Sequence, residues 1–266
     1  MSLPKPAASD AALVTGASSG IGVDIARELA QRGHALVLVA RREDRLAAVA
    51  QELRDAHGVR VEVLACDLAD PAARDALPDR VAALGLEVSI LVNNAGYGTV
   101  GEIGTVDAAK ETGQVRLNCE AVVALSTAYV PAMVARGEGA ILVVASSAGF
   151  QPIPGQATYA ATKAFALSFS EGLHTELKDK GVAVTALCPG PVETEFAAVA
   201  GAEELFANAP SFAMVSAAEV ARQAVAGLES NRRVVVPGAA IKAVTLGGRY
   251  TPRAVLLPLM KRFYPV

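Results

Sequence analysis

An α/β fold, a single domain built on one doubly wound, seven-stranded parallel sheet, is predicted for this 266-residue chain by three observations. Short Val/Leu/Ala runs alternate with longer segments whose apolar residues recur every three or four positions, the rhythm of repeated βαβ units. Hydrophobic residues make up 52% of the chain and charged residues 19%, which is enough apolar material for a sheet covered by helices on both faces. No internal repeat or linker divides the chain, so one domain over 9–240 is expected, with a lead at 1–8 and an apolar, basic tail at 241–266.

The strands are read at 11–15, 35–40, 60–65, 89–92, 140–145, 182–188 and 233–236, each a mostly apolar run between turn residues. The segment 21–32 sets Ile21, Ile25 and Leu29 four apart on one face, with Gly33 as its stop, so it reads as the first crossover helix. The second crossover, 43–56, repeats the pattern with Leu46, Val49 and Leu53 and ends before Gly58. The third opens with Asp70 and Pro71, a cap and first-turn pair. A helix is predicted to begin near Tyr159, after the fifth strand. Beyond the sixth, 193–216 is the one long irregular stretch, placed at the carboxyl ends of the strands, where such sheets bind ligands. In the tail, Pro252 and Pro258 are expected to break any long helix.

Several functions are excluded early. A net charge of −3, with no basic run interleaved with aromatics, gives no field suited to nucleic acid. Cys66, Cys119 and Cys188 lie far apart in apolar surroundings and read as small buried hydrophobes in a reducing compartment. His34, His57 and His174 form no ligand pair, so no metal is expected. The first residues lack a basic start and an apolar core, and no stretch approaches the ~20 apolar residues of a membrane span. A cytoplasmic protein is expected.

Thr15-Gly16-Ala17-Ser18-Ser19-Gly20-Ile21-Gly22 follows the first strand and opens the first helix. Its backbone N–H groups and the positive helix end favour a pyrophosphate, and glycines allow the phosphates to approach. The second strand ends in Ala40-Arg41-Arg42, with no carboxylate before Glu43. Guanidinium groups there suit the 2′-phosphate of NADP(H) better than the free ribose of NAD. Asp67, in Cys66-Asp67-Leu68, is placed to accept from an adenine amino group. Asn94, Ala95 and Gly96, after the fourth strand, stand where the cofactor would cross the sheet.

Tyr159 and Lys163 are four residues apart at a helix start, hence on one face. A fixed ammonium beside a phenol is expected to lower the phenol pKa from its ordinary value of ~10, tuning it for proton transfer. Ser146, in Ala145-Ser146-Ser147-Ala148-Gly149, stands at the end of the fifth strand and can hold a carbonyl oxygen. Asn118, on an earlier helical segment with Val115 and Val122, is expected to lend its carbonyl to a water touching Lys163.

At these residues the chain resembles the short-chain dehydrogenase/reductase family, of the type with one compact Rossmann domain, over about residues 9–237. The family's TGxxxGxG matches Thr15 to Gly22, its NNAG matches Asn93 to Gly96, and its YxxxK matches Tyr159 and Lys163. The resemblance implies a catalytic tetrad of Asn118, Ser146, Tyr159 and Lys163. Ser146 rather than Ser147 keeps the family spacing, three residues before Gly149 and thirteen before Tyr159. The family's PGxxxT matches Pro189, Gly190 and Thr194, implying that the Val192 backbone and the Thr194 hydroxyl hold the nicotinamide carboxamide. The basic residue of NADP-preferring members falls on Arg41. The implied activity is hydride transfer between NADP(H) and a carbonyl or secondary alcohol, with Tyr159 handling the proton, in a homodimer or homotetramer. An NAD-linked alcohol dehydrogenase and a catalytically idle dinucleotide-binding or lipid-associated module are the competing readings.

The substrate end is expected to be formed by 98–105, 150–157 and the chain from 193 onward. Their residues Val100, Phe150, Ile153, Phe196, Leu205, Phe206, Phe212 and Met214 favour an apolar ketone. In the tail, Leu246, Val255, Leu256, Leu257, Leu259, Met260 and Phe263 mingle with Arg249, Arg253, Lys261 and Arg262. Such a mixture suits a bilayer surface; packing over the substrate loop or against another subunit is the alternative.

Overall fold

In the computed structural model, residues 3–203 and 214–264 are described. From the N-terminus, β1 (Asp10–Thr15) leads through α1 (Ile21–Gln31) to β2 (Ala35–Ala40), then through α2 (Glu43–His57) to β3 (Val61–Ala65). The short helices α3 (Pro71–Asp75) and α4 (Leu77–Ala82) connect to β4 (Glu87–Asn93). Next come α5 (Ala108–Val115), a π-helical turn at Arg116–Glu120, α6 (Ala121–Arg136) and β5 (Gly139–Val144). Then α7 (Ala157–Leu177), β6 (Val182–Leu187), α8 (Phe196–Ala200), α9 (Ala217–Glu229) and β7 (Val234–Val235) complete the array, followed by α10 (Ala239–Tyr250) and α11 (Arg253–Phe263).

The seven strands form one parallel sheet in the order β3-β2-β1-β4-β5-β6-β7. The alternation of side chains decides what each face packs against. Val14, Leu38, Ile90 and Leu142 point to one side, against Ile25, Leu29, Leu46 and Leu53 of α1 and α2 and Val220 and Leu228 of α9. Leu13, Val37, Leu91, Ile141 and Val184 point to the other, against Leu125 and Met133 of α6 and Leu167 and Leu177 of α7. Leu13, Leu38 and Leu91 are fully buried, and each such side chain contributes about 1.5–3 kcal/mol through burial.

The strands and crossovers fall where the apolar pattern puts them. Asp70 caps α3 by accepting from the Ala72 N–H at 3.0 Å, and Gly33 closes α1 in a left-handed conformation, φ +83°. Two elements differ. β7 is only two residues long, because only Ala186 and Leu187 of β6 reach it. The tail is broken at only one of its two prolines: Pro252 separates α10 from α11, as expected, whereas Pro258 lies inside α11. Leu256 and Met260 repay the irregularity by burying against Ala148, Ile153 and Ala160. The helical run Ala108–Arg136 is long and apolar enough to cross a membrane, contrary to the sequence expectation, but Val122, Leu125 and Met133 on it are buried against the sheet. The order of strands reverses direction between β1 and β4, and the crevice at their carboxyl ends is where the candidate site lies.

Candidate active site

The turn from Thr15 to Gly22 is held by β4. Thr15 Oγ1 donates to Val92 O at 3.0 Å and accepts from Asn94 N at 2.9 Å and Ala95 N at 3.0 Å. Asn94 Nδ2 donates to Thr15 O at 2.8 Å and to Gly16 O at 3.2 Å. A Cβ on Gly16 would stand 2.8 Å from Asn94 Nδ2, and one on Gly22 would stand 2.5 Å from both Asn94 Nδ2 and Gly16 O. The glycines thus answer to the amide clamp as well as to any ligand. No side chain caps α1 at Gly20; the Val23 N–H turns back to Gly20 O at 3.1 Å, and the Ile21 and Gly22 N–H groups are left for an anion above them. Thr15, read from sequence as the first residue of the glycine motif, proves to be the residue that ties the turn to β4.

On the other side of the crevice, Ser146 closes β5 and its hydroxyl accepts from Ala148 N at 3.1 Å. The same hydroxyl hydrogen-bonds the Tyr159 phenol, whereas Ser147 is tied by its N–H to Pro189 O. Lys163 Nζ, one turn along α7, donates to Val144 O at 2.8 Å and lies 5.8 Å from the centroid of the Tyr159 ring. Asn118 is buried on the π-helical turn, a local irregularity frequent at functional sites. Its Nδ2 donates to Tyr97 O at 2.9 Å and Thr162 Oγ1 at 3.0 Å, and its Oδ1 accepts from Tyr97 N at 3.2 Å. A Cβ on Gly96 would stand 2.9 Å from Asn118 Oδ1 and 3.4 Å from Lys163 Nζ, so bare backbone separates the two. The Asn118 carbonyl, expected to face a water, is engaged by the Tyr97 N–H behind the cleft wall.

The expected direction of the tyrosine shift is reversed. Burial pushes the Tyr159 phenol up to about 12, opposed by the Ser146 hydrogen bond. Burial also drives Lys163 down to about 8. Desolvation acts on both members of the pair, and the ammonium, held against Val144 O, does not offset it for the phenol.

At the far end of the crevice, Arg41 and Arg42 follow β2 as read from sequence. Arg42 donates to Ser18 Oγ at 3.1 Å and Ser19 Oγ at 2.9 Å, and pairs with Glu195 at 2.9 Å. Glu195 also pairs with Arg45, and hydrogen bonds from Arg45 and Arg42 hold its carboxyl at about 2. Arg41 is exposed and makes no ion pair among the described residues. Asp67 accepts from Ala69 N at 3.0 Å. Thr194 leans over the glycine turn, its Cβ 3.2 Å from where a Gly20 Cβ would be, and its hydroxyl accepts from Phe196 N at 3.3 Å. Glu195 was not foreseen.

These groups share one cleft of about 1300 Å³. Gly16, Ser18, Ser19, Gly20, Ile21, Arg41, Arg42, Asp67, Leu68, Asn94, Ala95, Gly96, Ser146, Tyr159, Lys163, Pro189, Gly190, Val192 and Thr194 line it. Gly22 and Asn118 stand behind its wall. Of the expected substrate residues, Val100, Ile153 and Phe196 line the cleft. Phe150 packs instead against the core of the sheet, and half-buried Met214 lies away from the lining. Leu205, Phe206 and Phe212 are outside the described residues. The apolar wall gains Val199, from the stretch after 193 that was expected there, and Ile241, Val244, Leu256, Leu259 and Met260 of the tail, which packs over this end of the cleft as its alternative reading had it.

Residues 10–205 match the family described as short chain dehydrogenase. A very-long-chain 3-oxoacyl-CoA reductase of Anas platyrhynchos is 34% identical over 236 residues, covering 86% of this chain and 72% of that protein. Sulfoacetaldehyde reductase 2 of Chromohalobacter salexigens is 38% identical over 193 residues, covering 72% and 76%. Among solved structures, a short-chain dehydrogenase from Sphingobium yanoikuyae in complex with NADPH aligns with a TM-score of 0.81 and 37% identity over 94% of this chain and 95% of that one.

Proposed function

The chain belongs to the short-chain dehydrogenase family and is an oxidoreductase, and from that premise we propose that it reduces an apolar ketone to a secondary alcohol with NADPH. The observation that supports this reading is the continuity of the cleft, from Arg41 and Arg42, across the open first turn of α1, to Ser146 and Tyr159 and on into an aliphatic wall. Arg41 and Arg42 suit a 2′-phosphate, the α1 N-terminus suits the pyrophosphate, and Val192 and Thr194 suit the carboxamide. When bound, the cofactor supplies the hydride.

The chain's own part is orientation and proton supply. The Ser146 hydroxyl holds the ketone oxygen beside the Tyr159 phenol. At about 12 the phenol keeps its proton at neutral pH, so it acts as the acid, giving that proton to the oxygen as it becomes an alkoxide. Lys163 steadies the ribose and faces the phenolate left behind. Its own place is fixed by Val144 O and the Asn118 side of Gly96.

Ile153, Phe196, Ile241, Leu256 and Met260 form an uncharged wall, with Phe196 packed against the Tyr159 ring at 5.5 Å. Such a wall suits a long apolar chain, as in the name of the Anas relative, better than a sulfonate. We read the protein as a homo-oligomer joined through α7, where Phe165 is exposed and stacks on Phe169 at 6.0 Å. Its three unpaired cysteines fit the reducing, cytoplasmic side of a cell.

The test compares Tyr159→Phe with the wild type. The variant is expected to lose ketone reduction about 10²-fold or more while binding NADPH with unchanged affinity by calorimetry. Full reduction by the variant would sink the mechanism. NADH binding as tight as NADPH, indifferent to Arg41→Ala, would sink the cofactor assignment.

A further inference from the structure

The aliphatic wall of the cleft does not stop at its mouth. Val100, Val199, Val244 and Leu259 line the cleft yet are 38, 60, 54 and 46% exposed. They come from the loop after β4 and from α8, α10 and α11, so four segments bring exposed apolar side chains to the rim, beside the charged Lys110 and Glu195 that also line the cleft. Beyond the rim, α10 and α11 also expose Leu246, Tyr250, Val255 and Leu257. Single exposed apolar residues are ordinary, but a concentration around one opening marks a contact surface.

Charge identifies what it contacts. None of the chain's 27 carboxylates lies after Glu229, whereas seven of its 24 Lys and Arg do; the residues up to Glu229 carry 17 cations against 27 carboxylates. Lys242, Arg249, Arg253, Lys261 and Arg262 are all exposed on α10 and α11, and none forms an ion pair among the described residues. A symmetric contact with a second copy through this face would set cations against cations. An anionic lipid surface attracts this end and repels the rest, so it orients the molecule as well as holding it.

We propose that α10 and α11 dock the protein on an anionic bilayer with the cleft mouth against the lipid, so that an apolar ketone enters from the acyl-chain region. The docking stands on exposure and charge; the identity of what enters rests on the oxidoreductase reading above. Lys and Arg on the two helices contribute through attraction to the headgroups, and the exposed Leu, Val and Tyr by insertion at the interface.

The full-length protein is sedimented with phosphatidylcholine vesicles, with and without phosphatidylserine, at low and high salt, and each preparation is titrated with NADPH by calorimetry. The wild type is expected to pellet with anionic vesicles at low salt and to be released by high salt. Lys261→Gln/Arg262→Gln should lower partitioning about 25-fold, about fivefold per cation, and Leu246→Glu/Val255→Glu should abolish it, both with unchanged NADPH affinity. A long-chain ketone dissolved in anionic vesicles should be reduced faster than in neutral ones by the wild type but not by the double Gln variant. Wild type that binds NADPH yet stays in solution overturns docking alone. Equal pelleting of all variants also overturns it, as does a salt-insensitive oligomer that Leu246→Glu dissolves without vesicles. Pelleting without NADPH binding upholds docking and overturns the oxidoreductase reading.

Discussion

Lys163 carries its charge almost wholly buried at the cleft wall. Its pKa falls from 10.5 to about 8 through burial, so folding disfavours its proton. Below pH 8 the folded chain bears that cost in full, and stability from this group rises as pH climbs from about 8 towards 10.5. Lys163→Met is therefore expected to be more stable at pH 7, by about 1–3 kcal/mol, and inactive; urea unfolding measures the gain, which should shrink above pH 8. A destabilised variant would contradict the assignment of cost. At the opposite end of the cleft, Glu195 sits on Arg42, one of the two arginines proposed to receive a 2′-phosphate. With its carboxyl held at about 2, it is ionised throughout the working range. Glu195→Gln should tighten NADPH binding several-fold while leaving NADH unchanged, since only the phosphate competes with the carboxylate; equal changes for both cofactors would refute that competition. The pairing joins residues 153 apart, which no local pattern announces, whereas Tyr159, Lys163 and Ser146 were legible because helix spacing and a strand end place them.

At the scale of elements, α1 shows how tightly a helix is set on its strand. A Cβ at Gly22 meets both the Asn94 amide and the Gly16 carbonyl at 2.5 Å, and neither can retreat without losing the bonds that hold the turn. Gly22→Ala is expected to cost about 1–3 kcal/mol and to weaken NADPH and NADH binding alike, read by urea unfolding and calorimetry; native stability would show that the clamp yields. The crossover helices α1 and α2 were readable because their apolar residues recur at helical spacing. The π-helical turn at Arg116–Glu120 was not, because one residue more per turn hardly disturbs that spacing. Nor were α10 and α11, since Pro258 argues against a helix that the burial of Leu256 and Met260 then secures. The upward tyrosine shift was illegible for a related reason: four-residue spacing shows that a charge is near, not how much water has left.

For the whole molecule, exposed Phe165, stacked on half-buried Phe169 of α7, is the contact on which the proposed homo-oligomer rests: Phe165→Glu is expected to give monomers, as light scattering would show, and an unchanged mass would move the interface elsewhere. The fold class was legible because a parallel sheet covered on both faces demands long apolar runs, and these dominate the sequence. The outer wall of the cleft was less so, because α10 and α11 reach it only through tertiary packing. The strand order also has a consequence for synthesis. β1 pairs first with β2, but its other neighbour, β4, ends at Asn93, and the Thr15 hydroxyl awaits Val92 O, 77 residues on. At about 5–20 residues per second, a growing chain therefore carries an open β1 edge for seconds, a ready template for wrong pairing. The arrival of β4 closes that edge and fixes the glycine turn together, and passes the open edge on to β4 itself, which waits for β5.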